Sequence, residues 1–356
     1  MTASNLTLLQ VAALHDWATC GGAATSLLPA VRLLLPILLL ACAAAGCGSV
    51  TGEDRPGTEA TLLLDFTPNA VHAGIYMAVD REFDQAEGVT LTVRKPGAST
   101  DALKLLSSGR ADLAILDIHD LGLARQQGRD IVGVMAFVQR PLAAVLAQPS
   151  IRSPAELEGE RAGVTGLPSD EAVLRSVVAG DGGDPAKVRS VTIGFQAVKA
   201  LLARRVAGAT AFWNVEGVAL REQRRGIREF RVDDYGAPAY PELVLCVTRA
   251  TLEDDRPAIR ATIRALQRGY GEAQRDPESA VAAMLEAEPG LDRGALAAQL
   301  DAVAPAFTAG APAFGALRPS TLRAWARWDE RFGILRGPLD VGRAFDTTLV
   351  APTSNP

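Results

Sequence analysis

The sequence predicts an α/β fold in two lobes, each a mainly parallel sheet wrapped by helices, joined by a two-segment hinge. Three observations predict it. Short apolar runs of strand type alternate with stretches of helical spacing from residue 60 onward. The alternation also recurs. "LKLLSSGRADLAILD" and "KALLARRVAGATAFWN" each hold a helix with twin leucines, a basic step and a buried strand. Finally, "VQRPLAAVLAQPS" (138–150) leads into the second series and "YPELVLCVTR" (240–249) leads back.

The elements follow in order. "ATLLLDF" (60–66) is a continuous apolar run, as in a strand buried on both faces. "HAGIYMAVDREF" is spaced as a helix, and "VTLTVRK" (89–95) alternates as a strand. "TDALKLLSSG" is a helix with Thr100 as N-cap, followed by the strand "ADLAILD" (111–117). In the second series, "SPAE" (153–156) has the form of a capping box with Pro at the first helical position. "RAGVTG" is a strand, "SDEAVLRSVVAG" a helix and "VRSVTIG" a strand. "TLRAWARWDERFGIL" is helical and is expected to pack on the first lobe. This places lobe 1 at 59–143 and 250–345, lobe 2 at 144–249, and a flexible tail at 346–356.

The chain has 356 residues with a net charge of −5, which disfavours nucleic acid or an anionic membrane surface as partner. "VRLLLPILLLACAAAGCGS" carries one positive charge, an apolar run too short to span a membrane, and small residues before Cys47. Residues 1–46 therefore read as a signal peptide, and a start at Val31 would account for 1–30. "AAGC" resembles a bacterial lipobox, making Cys47 the lipidation site, with 47–58 a polar tether. Cys246 in "ELVLCVT" then has no disulfide partner and reads as a small buried hydrophobe.

In open parallel sheets, ligands bind beyond the carboxyl ends of the strands. Four such ends hold unusual residues: "LDFTPN" (64–69), "LDIHD" (116–120), "VTGLPSD" (164–170) and "AFWNVE" (211–216). They offer Asp65, Phe66, Asn69, Asp117 and His119, then Thr165, Gly166, Ser169, Trp213, Asn214 and Glu216. His72, Tyr76 and Tyr235 lie close by in sequence. Carboxylates and amides beside rings suit a flat heterocycle, whose edge they read by hydrogen bonds while aromatics stack on its face. By residue type alone, Trp213 fits a core position equally well and Tyr235 a loop. Asp65 also fits a turn and Glu216 an exposed helix start. His72 and His119 also fit supporting roles behind the cleft.

"LDFTPNAVHAGIYMAVD", "GLPSDEAVLRSVV", "FWNVEGVAL" and "VDDYGAPAYPELVL" resemble, in order, the substrate-binding lipoproteins of bacterial ABC importers for thiamine pyrimidine precursors. The resemblance runs from about 60 to 285. It departs at Phe66, where the family has Trp, and at Arg204 and Ala207. It implies a periplasmic-binding-protein architecture of the second type, acting as a monomer. The ligand would be an aminopyrimidine carrying a hydroxymethyl or formylaminomethyl group. The partners would be a permease and its ATPase, and the lipid anchor would hold the protein at the outer face of the cytoplasmic membrane or in the periplasm. No cofactor and no metal are implied. Riboflavin or another flat heterocycle is the next ligand class, then sulfonate or nitrate, for which Arg140 is the one cationic candidate. The fungal pyrimidine-phosphate synthase shares the fold. It uses a run of cysteines and an early lysine for pyridoxal phosphate, whereas this chain has no lysine between Asp65 and Arg94.

Overall fold

Four strand ends and two hinge segments converge on one cleft in the computed structural model, which describes residues 58–97, 101–223 and 226–350. The signal segment, Cys47, the tether up to residue 57 and the expected cap Thr100 lie outside the described residues.

The first lobe begins with β1 (Thr58–Leu63), α1 (Ala73–Asp80), α2 (Phe83–Ala86) and β2 (Val89–Arg94). It continues through α3 (Asp101–Ser107), β3 (Leu113–Asp117), α4 (Ile118–Gln126) and β4 (Ile131–Ala136). The second lobe holds β5 (Ala143–Ala147), β6 (Arg161–Val164), α5 (Pro168–Gly180) and β7 (Arg189–Thr192). After them come α6 (Ala197–Leu202), β8 (Gly208–Phe212), α7 (Glu216–Gln223) and β9 (Arg228–Arg231). The chain returns through β10 (Leu243–Thr248) into α8 (Arg249–Asp254), α9 (Arg256–Arg275) and α10 (Pro277–Ala287). It ends with α11 (Arg293–Thr308), α12 (Pro319–Phe332) and α13 (Val341–Ala344).

The two sheets have matching topology, β2-β1-β3-β10-β4 and β7-β6-β8-β5-β9. In each, one strand runs against the other four: β10 lies between β3 and β4, and β5 between β8 and β9. Both are the first strand after a crossing from the other lobe. A chain arriving from the cleft must run away from it, whereas the parallel strands run toward it. The expected boundary after residue 249 left β10 with the second lobe; it is instead built into the first sheet. Its residues are buried up to the last. Such a run reads the same whichever sheet and direction it takes.

The edge strands β2 and β7 expose alternate or most residues, while β3, β4 and β5 are buried almost throughout. Close packing of α1 on α9 depends on Gly74 and Gly269. A Cβ on Gly74 would lie 2.2 Å from the Tyr270 ring, and one on Gly269 would lie 2.1 Å from the Gly74 carbonyl oxygen. Tyr270 Oη then donates to the Val71 carbonyl at 2.6 Å, holding the turn after β1.

Three expectations need correction. Residues 154–157 form a 3-10 turn in which Ser153 makes no side-chain capping bond, and Glu156, the reciprocal half of a capping box, accepts from the Arg152 amide and guanidinium instead. The C-terminal helices touch both lobes, α11 against α7 and α12 against α5, with Arg175 donating to the Phe332 carbonyl. Residues 346–350 are not a free tail. Asp346 pairs with Arg256 at 2.8 Å, its amide donates to the Gly133 carbonyl, and Leu349 is buried.

Candidate functional site

The four strand ends enclose a cavity of about 130 Å³. One water needs only about 10–15 Å³, so the space suits a small organic molecule. Asp65, Phe66, Asn69 and Asp117 line it from the first lobe, and Thr165, Ser169, Asn214 and Glu216 from the second. His72, Tyr76, His119, Gly166, Trp213 and Tyr235 do not line it.

After β1 the chain turns sharply, and Asn69 makes the turn. Its side-chain oxygen accepts from the Val71 amide at 3.0 Å and its amide donates to the Thr67 carbonyl at 3.0 Å. That amide therefore spends its oxygen and one of its two N–H groups on the turn. His72 is fully buried behind the turn. Its Nδ1 accepts from the Asn69 amide at 3.2 Å, leaving Nε2–H to donate to Asp65 at 2.8 Å. His72 thus orients Asp65 without meeting the cavity. Tyr76 points away, its hydroxyl donating to Glu288 at 3.4 Å. Burial and the nearby Glu288 raise its phenol well above the ordinary value.

At the end of β3, Asp117 caps α4 by accepting from the His119 amide at 2.8 Å. His119 lies behind it, fully enclosed by the rings of Tyr240, Trp325 and Trp328. Burial alone would lower its pKa, but Asp329, 2.9 Å from Nδ1, and then Asp117 outweigh burial and raise it from 6.5 to about 10. Asp117, His119 and Glu242 each place one donor atom within 4.8 Å of the others. These donors are already engaged: His119 with Asp329 and Tyr240, Glu242 with the Leu142 and Ala143 amides at 2.7 and 3.0 Å. The trio reads as a structural hub rather than as a metal centre.

In the second lobe α5 starts at Pro168, so Ser169 belongs to its first turn, with Gly166 bending the chain at φ +99°. Asp170 accepts from the Thr165 amide at 2.8 Å and from its hydroxyl. The β8 end holds the decisive group. Asn214 is 0% exposed, lines the cavity, and neither polar atom of its side chain has a hydrogen-bond partner. Leaving such groups unpaired costs about 1–3 kcal/mol each. Glu216, the first residue of α7, accepts from the Phe212 amide at 3.2 Å. Burial, then the charge of Asp170, raises its pKa.

Trp213 belongs to the core. It is 2% exposed, donates from Nε1 to the Pro141 carbonyl at 2.9 Å, and carries the Arg231 guanidinium on its face at 4.0 Å. Tyr235 packs edge-on against Phe230 outside the cavity. The rings at the cavity that sequence reasoning missed are Phe212, at the end of β8, and Phe195, 53% exposed, on the turn between β7 and α6. Phe195 meets Phe66 from the opposite lobe with centroids 5.5 Å apart. Its local signal was a lone aromatic in "IGFQA", directly after a strand end. Asp120 and Asp170 were also missed, although each lies inside a quoted strand-end block. Arg140 is engaged by Asp233 at 2.7 Å and does not line the cavity.

The fold and its inter-lobe cavity define the class: a two-lobed periplasmic-binding-protein architecture with a cavity between the lobes. The periplasmic aliphatic sulphonate-binding protein of Escherichia coli superposes with a TM-score of 0.67, covering 81% of this chain and 97% of that one at 15% identity. The chain belongs to the NMT1/THI5-like family, whose model matches residues 69–280. It is 33% identical to the formylaminopyrimidine-binding protein of Halalkalibacterium halodurans over 72% of this chain and 77% of the relative. It is also 23% identical to a 4-amino-5-hydroxymethyl-2-methylpyrimidine phosphate synthase of Legionella pneumophila, over 66% and 75% respectively.

Proposed function

We propose that this protein is an extracytoplasmic solute-binding protein that delivers a thiamine pyrimidine precursor to an ABC permease and its ATPase, anchored by lipid at Cys47. The observation that carries the reading is Asn214, a fully buried amide with both polar atoms unpaired, in a cavity lined by three phenyl rings, Phe66, Phe195 and Phe212. An amide that both donates and accepts matches the amine and adjacent ring nitrogen of an aminopyrimidine. Glu216 supplies a further acceptor beside it. Phe66 and Phe195 offer faces from opposite lobes, and stacking of this kind is worth about 1–3 kcal/mol per ring. The kinship to a formylaminopyrimidine-binding protein supports the same class of ligand.

The reading makes the protein a binder and not a catalyst, using no cofactor. Calorimetry against aminopyrimidines, riboflavin, an alkanesulfonate and nitrate tests it. An aminopyrimidine is expected to bind at least tenfold tighter than the others, a difference of about 1.4 kcal/mol. Tighter riboflavin or sulfonate binding would replace the ligand assignment. A pyrimidine phosphate formed in a single-turnover assay would replace the class.

A further inference from the structure

The cavity is lined by five carboxylates: Asp65, Asp117, Asp120, Asp170 and Glu216. Among the described residues no lysine, arginine or histidine lines it. The two sides of the cleft both contribute. Asp65, Asp117 and Asp120 come from the first lobe, Asp170 and Glu216 from the second. Asp170 acts electrostatically on Asp120 across the cleft and on Glu216 within its own lobe, opposing ionisation of both. Burial is the larger cause for each, and the His119 charge partly offsets it at Asp120. Nearby cations are committed elsewhere, Arg140 to Asp233, Arg231 to Glu229 and the Trp213 face, and His119, behind Asp117, to Asp329. Carboxyls gathered in a partly desolvated space, with His119 behind the wall and no cationic side chain on it, favour a ligand that brings positive charge.

Taking the aminopyrimidine reading as its basis, we propose that the cavity binds its heterocycle as a cation, with the positive charge placed between Asp120 of the first lobe and Asp170 of the second. Asn214 gives an independent reason to place the ligand here, because it lines the same space and both polar atoms of its buried amide are unpaired. The ring edge then lies against Asn214 and Glu216, and the charged group completes the acidic side. A cation placed between carboxylates of opposite lobes also favours their approach, so charge recognition and lobe closure are linked. The same geometry rejects phosphate esters, sulfonates and nitrate, whose charge would add to that of the wall.

The positive charge can reside on a side-group ammonium or on the ring, and calorimetry at pH 7.5 separates the two. One arm uses the 5-aminomethyl derivative of 4-amino-2-methylpyrimidine, and a second a ring N-methylated pyrimidinium bearing a 5-hydroxymethyl group. The uncharged 5-hydroxymethyl compound and its phosphate ester complete the set. At least one cation is expected to bind roughly tenfold tighter than the uncharged compound, a preference that shrinks with added salt. Asp120→Asn, which keeps the shape and removes the charge, is expected to bring the cation-to-neutral ratio close to one. Equal or tighter binding of the uncharged compound, or tight binding of the phosphate ester, would overturn the charge proposal and leave the pyrimidine reading standing. An unchanged ratio in Asp120→Asn would overturn the placement of the charge. Failure of every pyrimidine to bind would overturn the pyrimidine reading itself.

Discussion

Asn214 and Trp213 are neighbours in sequence with opposite duties. Asn214 keeps a buried, unpaired amide at the cavity, and Trp213 is held by Pro141 and Arg231 in the core. Replacing Asn214 with Leu should leave the unliganded protein as stable as before or up to about 1 kcal/mol more stable, because an unsatisfied polar group is removed. Aminopyrimidine binding should fall by tenfold or more, roughly one hydrogen bond's worth. Denaturation and calorimetry on the same preparation check both halves, and unchanged binding would take Asn214 out of the site. Phe195 and Trp213 form a second contrast. Phe195→Ala should weaken binding by about 1–3 kcal/mol of stacking with little loss of stability, since the ring is already half exposed. Trp213→Phe should cost about 1–2 kcal/mol of stability through the lost indole bond and change affinity far less. The reverse pattern would restore Trp213 as the stacking ring.

At the level of elements, the hinge is organised by Glu242 and His119. Glu242, on the returning crossing, accepts from the Leu142 and Ala143 amides on the outgoing one, tying both segments together. His119 at the start of α4 faces that carboxylate, Asp117, Asp329 on α12 and the Tyr240 hydroxyl. With the His119 pKa raised from 6.5 to about 10, its charged form stabilises the fold fully below about pH 6.5, and that contribution is lost as pH rises through 10. The carboxyls of Asp117, Glu242 and Asp329, all raised by burial with His119 opposing, also make the folded state bind more protons than the unfolded chain. Their effect has the same sign. The melting temperature should therefore decline between pH 7 and 10, with a stake on the order of a few kcal/mol. His119→Gln should be less stable at pH 7 and show a flatter decline, and an equal slope in the variant would remove His119 as its source.

On the scale of the whole molecule, the two sheets share one topology and the C-terminal helices embrace both lobes. Under the proposed function the protein hands its ligand to a permease, and Cys47 is proposed to hold it near that partner. Cys47→Ser should abolish incorporation of labelled lipid and release the protein from the membrane fraction or leave it as an unprocessed precursor. Cys42→Ser, at the poorer lipobox match "LLAC", should change little. Lipid incorporation that survives Cys47→Ser would sink the anchor assignment.

The sequence by itself determined the alternation of strands and helices, the two-lobe plan, and the strand ends at which the site would form. These are local properties: apolar runs, turn residues and blocks of a few residues such as "LDFTPN" and "AFWNVE". The reversed direction of β5 and β10 was not legible, because a strand buried on both faces carries the same apolar run in either direction. Nor was the exchange of roles between Trp213 and Phe195. Which aromatic meets the cavity depends on Phe66 and Phe195 approaching from opposite lobes and on Pro141 and Arg231 claiming the indole. The acidic wall likewise exists only once Asp120 and Asp170, 50 positions apart, line a single space. Charge density in a cavity is a property of three-dimensional distance, and only the tertiary structure sets it.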